Sequence, residues 1–196
     1  STDWLDEITR TPVSMNHNLT MKGGNTNSNY TASVNYRYWE GLFIRSDNKQ
    51  ASGRIGINHT ALDGMLKMSF NSIIRDRTYW TGGDGYSFNS YVYRQAIIRN
   101  PTDAIYDANG NWQERNTYFY DNPVAYIMES DGENNEREIQ MNGKVTLTPV
   151  KRWNINLLLS NNTYNQMRGF SQTKKHVSTT KSGRNGYASR GTTANL

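Results

Sequence analysis

A chain of 196 residues with 35% apolar and 12% aromatic side chains (13 Tyr, 5 Trp) is too poor in aliphatics for a helical globule and too aromatic for a disordered chain. It has no cysteine, which excludes a disulfide or thiolate–metal framework, and no apolar run near the about 20 residues of a membrane helix. Of its formal charge of +5, the tail from Asn165 onward holds six of the 22 Lys/Arg and none of the 17 acids, which leaves residues 1–164 at −1. Ser1 leads into a polar amphipathic stretch and not into a signal peptide, so a cytosolic chain, or a mature or internal piece of a longer one, is expected.

TDWLDEITR (2–10) reads as a short helix capped by Thr2 or Asp3, with Trp4, Leu5 and Ile8 on one side and Pro12 beyond its end. The period then switches to two. MNHNLTMKGG (15–24) sets Met15, His17, Leu19 and Met21 against Asn16, Asn18, Thr20 and Lys22. After the turn GGNTNSN, YTASVNYRY (30–38) alternates without a fault and is expected to run, from 29, to Ile44 before turning at SDNK (46–49). Residues 52–61 and 65–78 form two more alternating strands about a tight LDG turn, and 136–148 and 153–165 another two about PVKR. Between them, 79–135 shows no period, only turn clusters (TGGDG, NPTD, DANGN, DNP, SDGENN) among many aromatics. A loop of that length marks function or an external elaboration. Residues 166–196, rich in Ser, Thr, Gly and Lys, also read as a loop.

Six expected strands of roughly 10–14 residues are long for a globular sheet, whose strands average about five or six, and suit a bilayer crossed by about 9–11 tilted residues. Short turns at one end and long connections at the other are the pattern of an outer-membrane barrel. The apolar face then meets lipid and the polar face a wet lumen. The fold class expected is all-β: a section of a transmembrane antiparallel up-and-down barrel. Six strands cannot close, since the smallest such barrels have eight, so the section belongs to a larger wall.

Bland readings win at most other motifs. DANGNWQE (107–114) lacks EF-hand glycine spacing and reads as a type I′ hairpin at Asn109-Gly110. TGGDG (81–85) lacks the ending of a phosphate loop and reads as a turn. His17, His59 and His176 are scattered, the first two on the lipid parity, and the Asn-x-Ser/Thr sites at Asn18, Asn29, Asn58 and Asn161 are chance in an Asn-rich chain. No catalytic constellation, metal set or cofactor site is read, and the tail is too poor in aromatics for a nucleic-acid platform.

WLDEITRT (4–11), HNLTMKGG (17–24), NYTASVNYRYWEGLFIRSD (29–47), NPTDAIYDANGNW (100–112) and NPVAYI (122–127) resemble, in order, the SusC/RagA family of TonB-dependent outer-membrane importers. The resemblance runs from residue 4 to about 165. It implies a 22-stranded barrel of a Gram-negative outer membrane, a plug and TonB box lying outside this sequence, and a SusD-like surface lipoprotein as lid. It implies uptake of oligosaccharides or peptides, and that 2–10, 79–135 and 166–196 are extracellular. Partners would be that lipoprotein, TonB through the plug, the rest of the barrel, and membrane lipid.

On the strand parity, Asn35, Arg37, Arg54, Asn58, Lys67, Arg75, Asn142, Lys144 and Asn156 are expected to line the lumen. Lys67, Arg75 and Lys144 are the candidates for pairing with plug carboxylates. Trp80, Tyr86, Tyr91, Trp112 and Tyr118 are expected to contact substrate or lid. The reading from another class is a soluble secreted β-rich glycan-binding module.

Overall fold

The computed structural model describes residues 1–80, 86–115, 117 and 119–195, with the backbone alone at 86 and 87. The expected TGGDG turn, the side chain of Tyr86, and Tyr118 lie outside the described residues. Long strands build one curtain: β1 (Ser14–Gly24), β2 (Ser28–Glu40), β3 (Asp47–Ala61), β4 (Leu66–Trp80), β6 (Glu133–Val150), β7 (Trp153–Gln172) and β8 (Tyr187–Asn195), with a two-residue β5 (Ser130–Asp131) against the end of β7. Neighbours are antiparallel in the order β1-β2-β3-β4-β6-β7, and β8 joins the outer edge of β7. Among the described residues the sheet does not close, for β1 pairs only with β2 and β8 only with β7.

Three short turns share one end of the curtain. At the first, Asn25 accepts from the N–H groups of Asn27 and Ser28, and Gly24 has a φ of 154° at which a Cβ would strike the Ser28 carbonyl. At the second, Leu62 and Asp63 take φ values of 53° and 51°. The third is Lys151-Arg152, with Arg152 at φ 74°.

The opposite end carries a helical cap made of α1 (Trp4–Ile8), α2 (Tyr86–Ile98), α3 (Pro123–Met128) and α4 (Val177–Lys181). Asp3 caps α1, and Asn122, followed by Pro123 in the first turn, caps α3. Trp4, Ile8, Phe88, Val92, Ala96, Val124 and Ile127 form the buried cluster, so the apolar core lies in the cap and not against the sheet.

The strand expected to reach Ile44 stops at Glu40, and the SDNK segment begins β3 at Asp47 where a turn was expected. The chain turns at 41–46 because Gly41 N–H donates to Ser46 O (2.5 Å), while Ile44 N–H donates to Ile8 O (3.0 Å) and so ties the turn to α1. Arg45 sits there at φ 62° and donates to the carbonyls of Ile127 and Met128 at the C-terminus of α3 and of Ser130 just beyond it. The tail expected to be a loop is corrected more strongly: β7 continues to Gln172, α4 follows, and β8 returns along β7. The 107–112 hairpin is present, but of its residues only Gly110 has positive φ (78°). It is thus a type I turn closed by a glycine, with Asp107 accepting from Asn109 and Asn111 N–H, and not the expected type I′.

Candidate functional site

The ladders put residues of like parity in rows across the curtain. One row reads Asn18, Asn35, Ser52, Arg75, Glu138, Tyr164; two residues nearer the cap another reads Asn16, Arg37, Gln50, Arg77, Glu136, Gln166. Amides and hydroxyls pair along these and neighbouring rows: Asn35 to Asn16 at 2.7 Å, Asn58 to Asn29 at 2.9 Å, Ser160 to Asn142 at 2.7 Å, Thr146 to Asn156 at 2.7 Å. The two acids are taken. Arg75 bonds Glu138 at 2.9 Å, and Glu136 accepts from Tyr79 and Gln166 with Arg77 at 3.6 Å. All nine residues expected on the polar parity fall on this one face. Ile73 and Leu158 are apolar residues on the same parity.

The other face is apolar and bare. Leu19 is 75% exposed, Val34 62%, Ile57 43% and Leu159 65%. From Leu66 to Ile74 the β4 side chains of this parity are Leu, Met, Phe, Ser and Ile, a stretch of about 26 Å along the strand at about 3.3 Å per residue. Tilted by about 40°, that stands about 20 Å tall, close to the about 25 Å apolar band of a membrane barrel. Polarity resumes just above it, where Asp76 and Arg137 pair at 2.6 Å. Tyr30 and Trp153 face outward near the short turns, Tyr36 and Tyr38 near the cap. The Tyr30 ring lies against Gly23, where no Cβ would fit beside it.

In the cap, Trp112 stacks on Tyr106 (centroids 4.8 Å apart, 25° between planes) and donates its indole N–H to Glu129 at 2.7 Å. Glu129 also accepts from Thr173, which joins the hairpin to the tail. Between hairpin and tail lies a cleft of about 620 Å³ lined on the tail side by Lys174, Lys175 and Arg184. Of the other expected contacts, Trp80 bonds Asp131 at 2.9 Å and packs edge-on against Phe88. Tyr91 donates to Asp121 at 2.5 Å and leans on Tyr126, and burial and that carboxylate push its phenol well above the usual range. Both therefore hold the cap together, while Trp112 lines the cleft.

Three further residues take structural roles that the sequence did not show. Arg99 is buried against Asp103 (3.4 Å) and Glu114 (3.7 Å), with Trp4 and Tyr120 rings 5.2 Å from its guanidinium carbon. Burial raises the Glu114 carboxyl. His176 is fully buried beneath Tyr126, its Nδ1 accepting from Ser178 N–H (3.1 Å), and burial lowers its pKa to about 4.

No family model matches the chain. Over 131 residues, 63% of this chain, it is 26% identical to the TonB-dependent receptor SusC of Bacteroides thetaiotaomicron. The coordinates superpose on the RagAB peptide importer in its closed-closed and open-open states with a TM-score of 0.66 for both, over 87% of this chain at 17% and 18% identity. The chain spans only 13% of SusC and 19–20% of the RagAB chains it matches. It has the fold of a SusC/RagA-type barrel wall. For such a wall section an open sheet with one bare apolar face is the expected shape, since neighbouring strands complete the ring. Paired amides on its other face offer a wet, hydrogen-bonding surface to whatever fills the barrel.

Proposed function

We propose that this chain forms part of the wall and outer vestibule of a TonB-dependent outer-membrane nutrient importer of the SusC type. The observation that carries the reading is the bare apolar band opposite a continuous polar face. A soluble sandwich would cover that band with a second layer, and lipid covers it here at no cost. In this reading the short turns are periplasmic and the helical cap is extracellular, under a SusD-like lipoprotein. Asn35, Arg37, Arg54, Asn58, Lys67, Arg75, Asn142, Lys144 and Asn156 face the lumen, where displaced plug and passing solute exchange hydrogen bonds with them. Oligosaccharides or peptides released by the lid would cross this surface, driven by the inner-membrane proton gradient acting through TonB on the plug. Nothing in that scheme asks the wall to make or break covalent bonds. The cap cleft at Tyr106 and Trp112 is the first contact surface for solute or lid.

The test is made in the full-length parent protein in its own cells. Solute accumulation that requires both TonB and the parent protein, with the protein extracted from envelopes only by detergent, supports the reading. A protein released by buffer alone, or uptake indifferent to TonB, contradicts it.

A further inference from the structure

Charge is divided unevenly over the polar face. Nearer the cap the face carries Arg37, Arg75, Arg77 and Arg168 with two acids, Glu138 and Glu136, which pair with Arg75 and Arg77. Toward the short turns, below the row of Arg75, the face carries Lys22, Arg54, Lys67 and Lys144 and no acid on β1–β7. All four are exposed, and among the described residues none has an ion-pair partner. Lys67 pairs across the ladder with Thr146 and Ser69 with Lys144, so the two ammonium groups are diagonal neighbours on adjacent strands. Their Cα atoms are then about 7–8 Å apart, and the like charges repel unless an anion stands between them. The rest of the surface supplies hydroxyl and amide groups: Ser69, Asn71, Asn142 and Ser160 lie among the cations.

The cap cleft repeats this chemistry independently. Lys174, Lys175 and Arg184 line one side, and Tyr106, 51% exposed, backed by Trp112, presents an aromatic edge on the other. Of its two carboxylates, Glu129 is held by Trp112 and Thr173, and Glu114 by Arg99 (3.7 Å) and the Asn122 N–H (2.9 Å), so the cleft's uncommitted charges, Lys174, Lys175 and Arg184, are positive.

We propose that the solute handled by this wall is an acidic oligosaccharide, one bearing carboxylate or sulfate groups. The inference rests on the importer reading and narrows its substrate class. Cations at both the cleft and the turn-side lumen attract the anionic groups. The amides and hydroxyls between them match sugar hydroxyls, and the aromatic platform suits the C–H face of a pyranose ring. Focused positive potential also raises the local concentration of such a solute.

Cells making the full-length parent protein, with and without TonB, are given labelled oligogalacturonides, chondroitin sulfate oligosaccharides, malto-oligosaccharides and oligoglutamate peptides of matched length. TonB-dependent uptake of either acidic glycan should exceed that of the neutral glycan by roughly tenfold or more. The triple variant Arg54→Gln, Lys67→Gln, Lys144→Gln should lose that preference while reaching the outer membrane at the wild-type level, and the variant Arg54→Lys, Lys67→Arg, Lys144→Arg should restore it. Equal or better uptake of malto-oligosaccharides, preference for the acidic peptide, or uptake of none of the four overturns the proposal. So does a triple variant that keeps the preference but melts earlier, for then the cations dock an acidic part of the protein itself. Accumulation that persists without TonB instead defeats the importer reading, and binding of the same probes to the purified protein then decides the charge preference alone.

Discussion

His176 shows how much one buried side chain can tie together. Its Nδ1 accepts the Ser178 N–H at the start of α4. The ring packs under Tyr126, and Asp121 and Glu129 are the charged groups that act on it. Those carboxylates favour the imidazolium, but burial dominates and brings the pKa from an ordinary 6.5 to about 4. A loosened cap therefore binds a proton in that window which the packed cap does not. Stability of the 173–186 segment rises with pH from about 4 to about 6.5 and is lost on acidification, by at most about 3 kcal/mol. Limited proteolysis of the full-length protein should cut this segment faster at pH 5 than at pH 7.5, and His176→Gln, which keeps an acceptor without a titrating ring, should flatten the difference. Equal cutting at both pH values in the wild type would refute it. Arg99 makes a second test. With Asp103 and Glu114 around a fully buried guanidinium, Arg99→Met takes the cation from Glu114 and leaves Asp103 only Arg115, and should cost the cap about 3–5 kcal/mol, read as lost amide-exchange protection in α2 and α3.

At the scale of elements, the strands were legible because one face is apolar and the other polar, so side-chain character alternates along β1–β4, β6 and β7 with few exceptions such as Ile73 and Leu158. Adjacent residues on β3 test that directly. Ile57→Arg places a charge on the apolar band and should cost about 2–4 kcal/mol in denaturant unfolding from bilayers. Asn58→Arg, one position on and facing the other way, should cost less than about 1 kcal/mol. The elements that eluded the sequence are those whose partners are distant. Phe88, Val92 and Ala96 do recur every four residues in α2, but buried Gln95 and Arg99 interrupt the apolar stripe. The strand β8, YASRGTTAN, has no greasy face at all and is defined by its backbone ladder to β7. The turn at 41–46 continues a β-like sequence and is bent by hydrogen bonds to α1 and by Arg45, contacts that no local pattern encodes.

For the molecule as a whole, the sheet has no core of its own: one face is bare and apolar, and the other carries paired amides. Only the cap is folded as soluble proteins are, around Trp4, Ile8, Val92 and Ile127. The two-faced curtain makes its clearest claim along β2. Nitroxides placed singly from Tyr30 to Tyr38 of the full-length protein in bilayers should show period-two accessibility. Oxygen dissolved in lipid should reach Ala32, Val34 and Tyr36, and a water-soluble nickel chelate should reach Ser33, Asn35 and Arg37. Accessibility with no alternation, or with the two sets exchanged, would contradict the account.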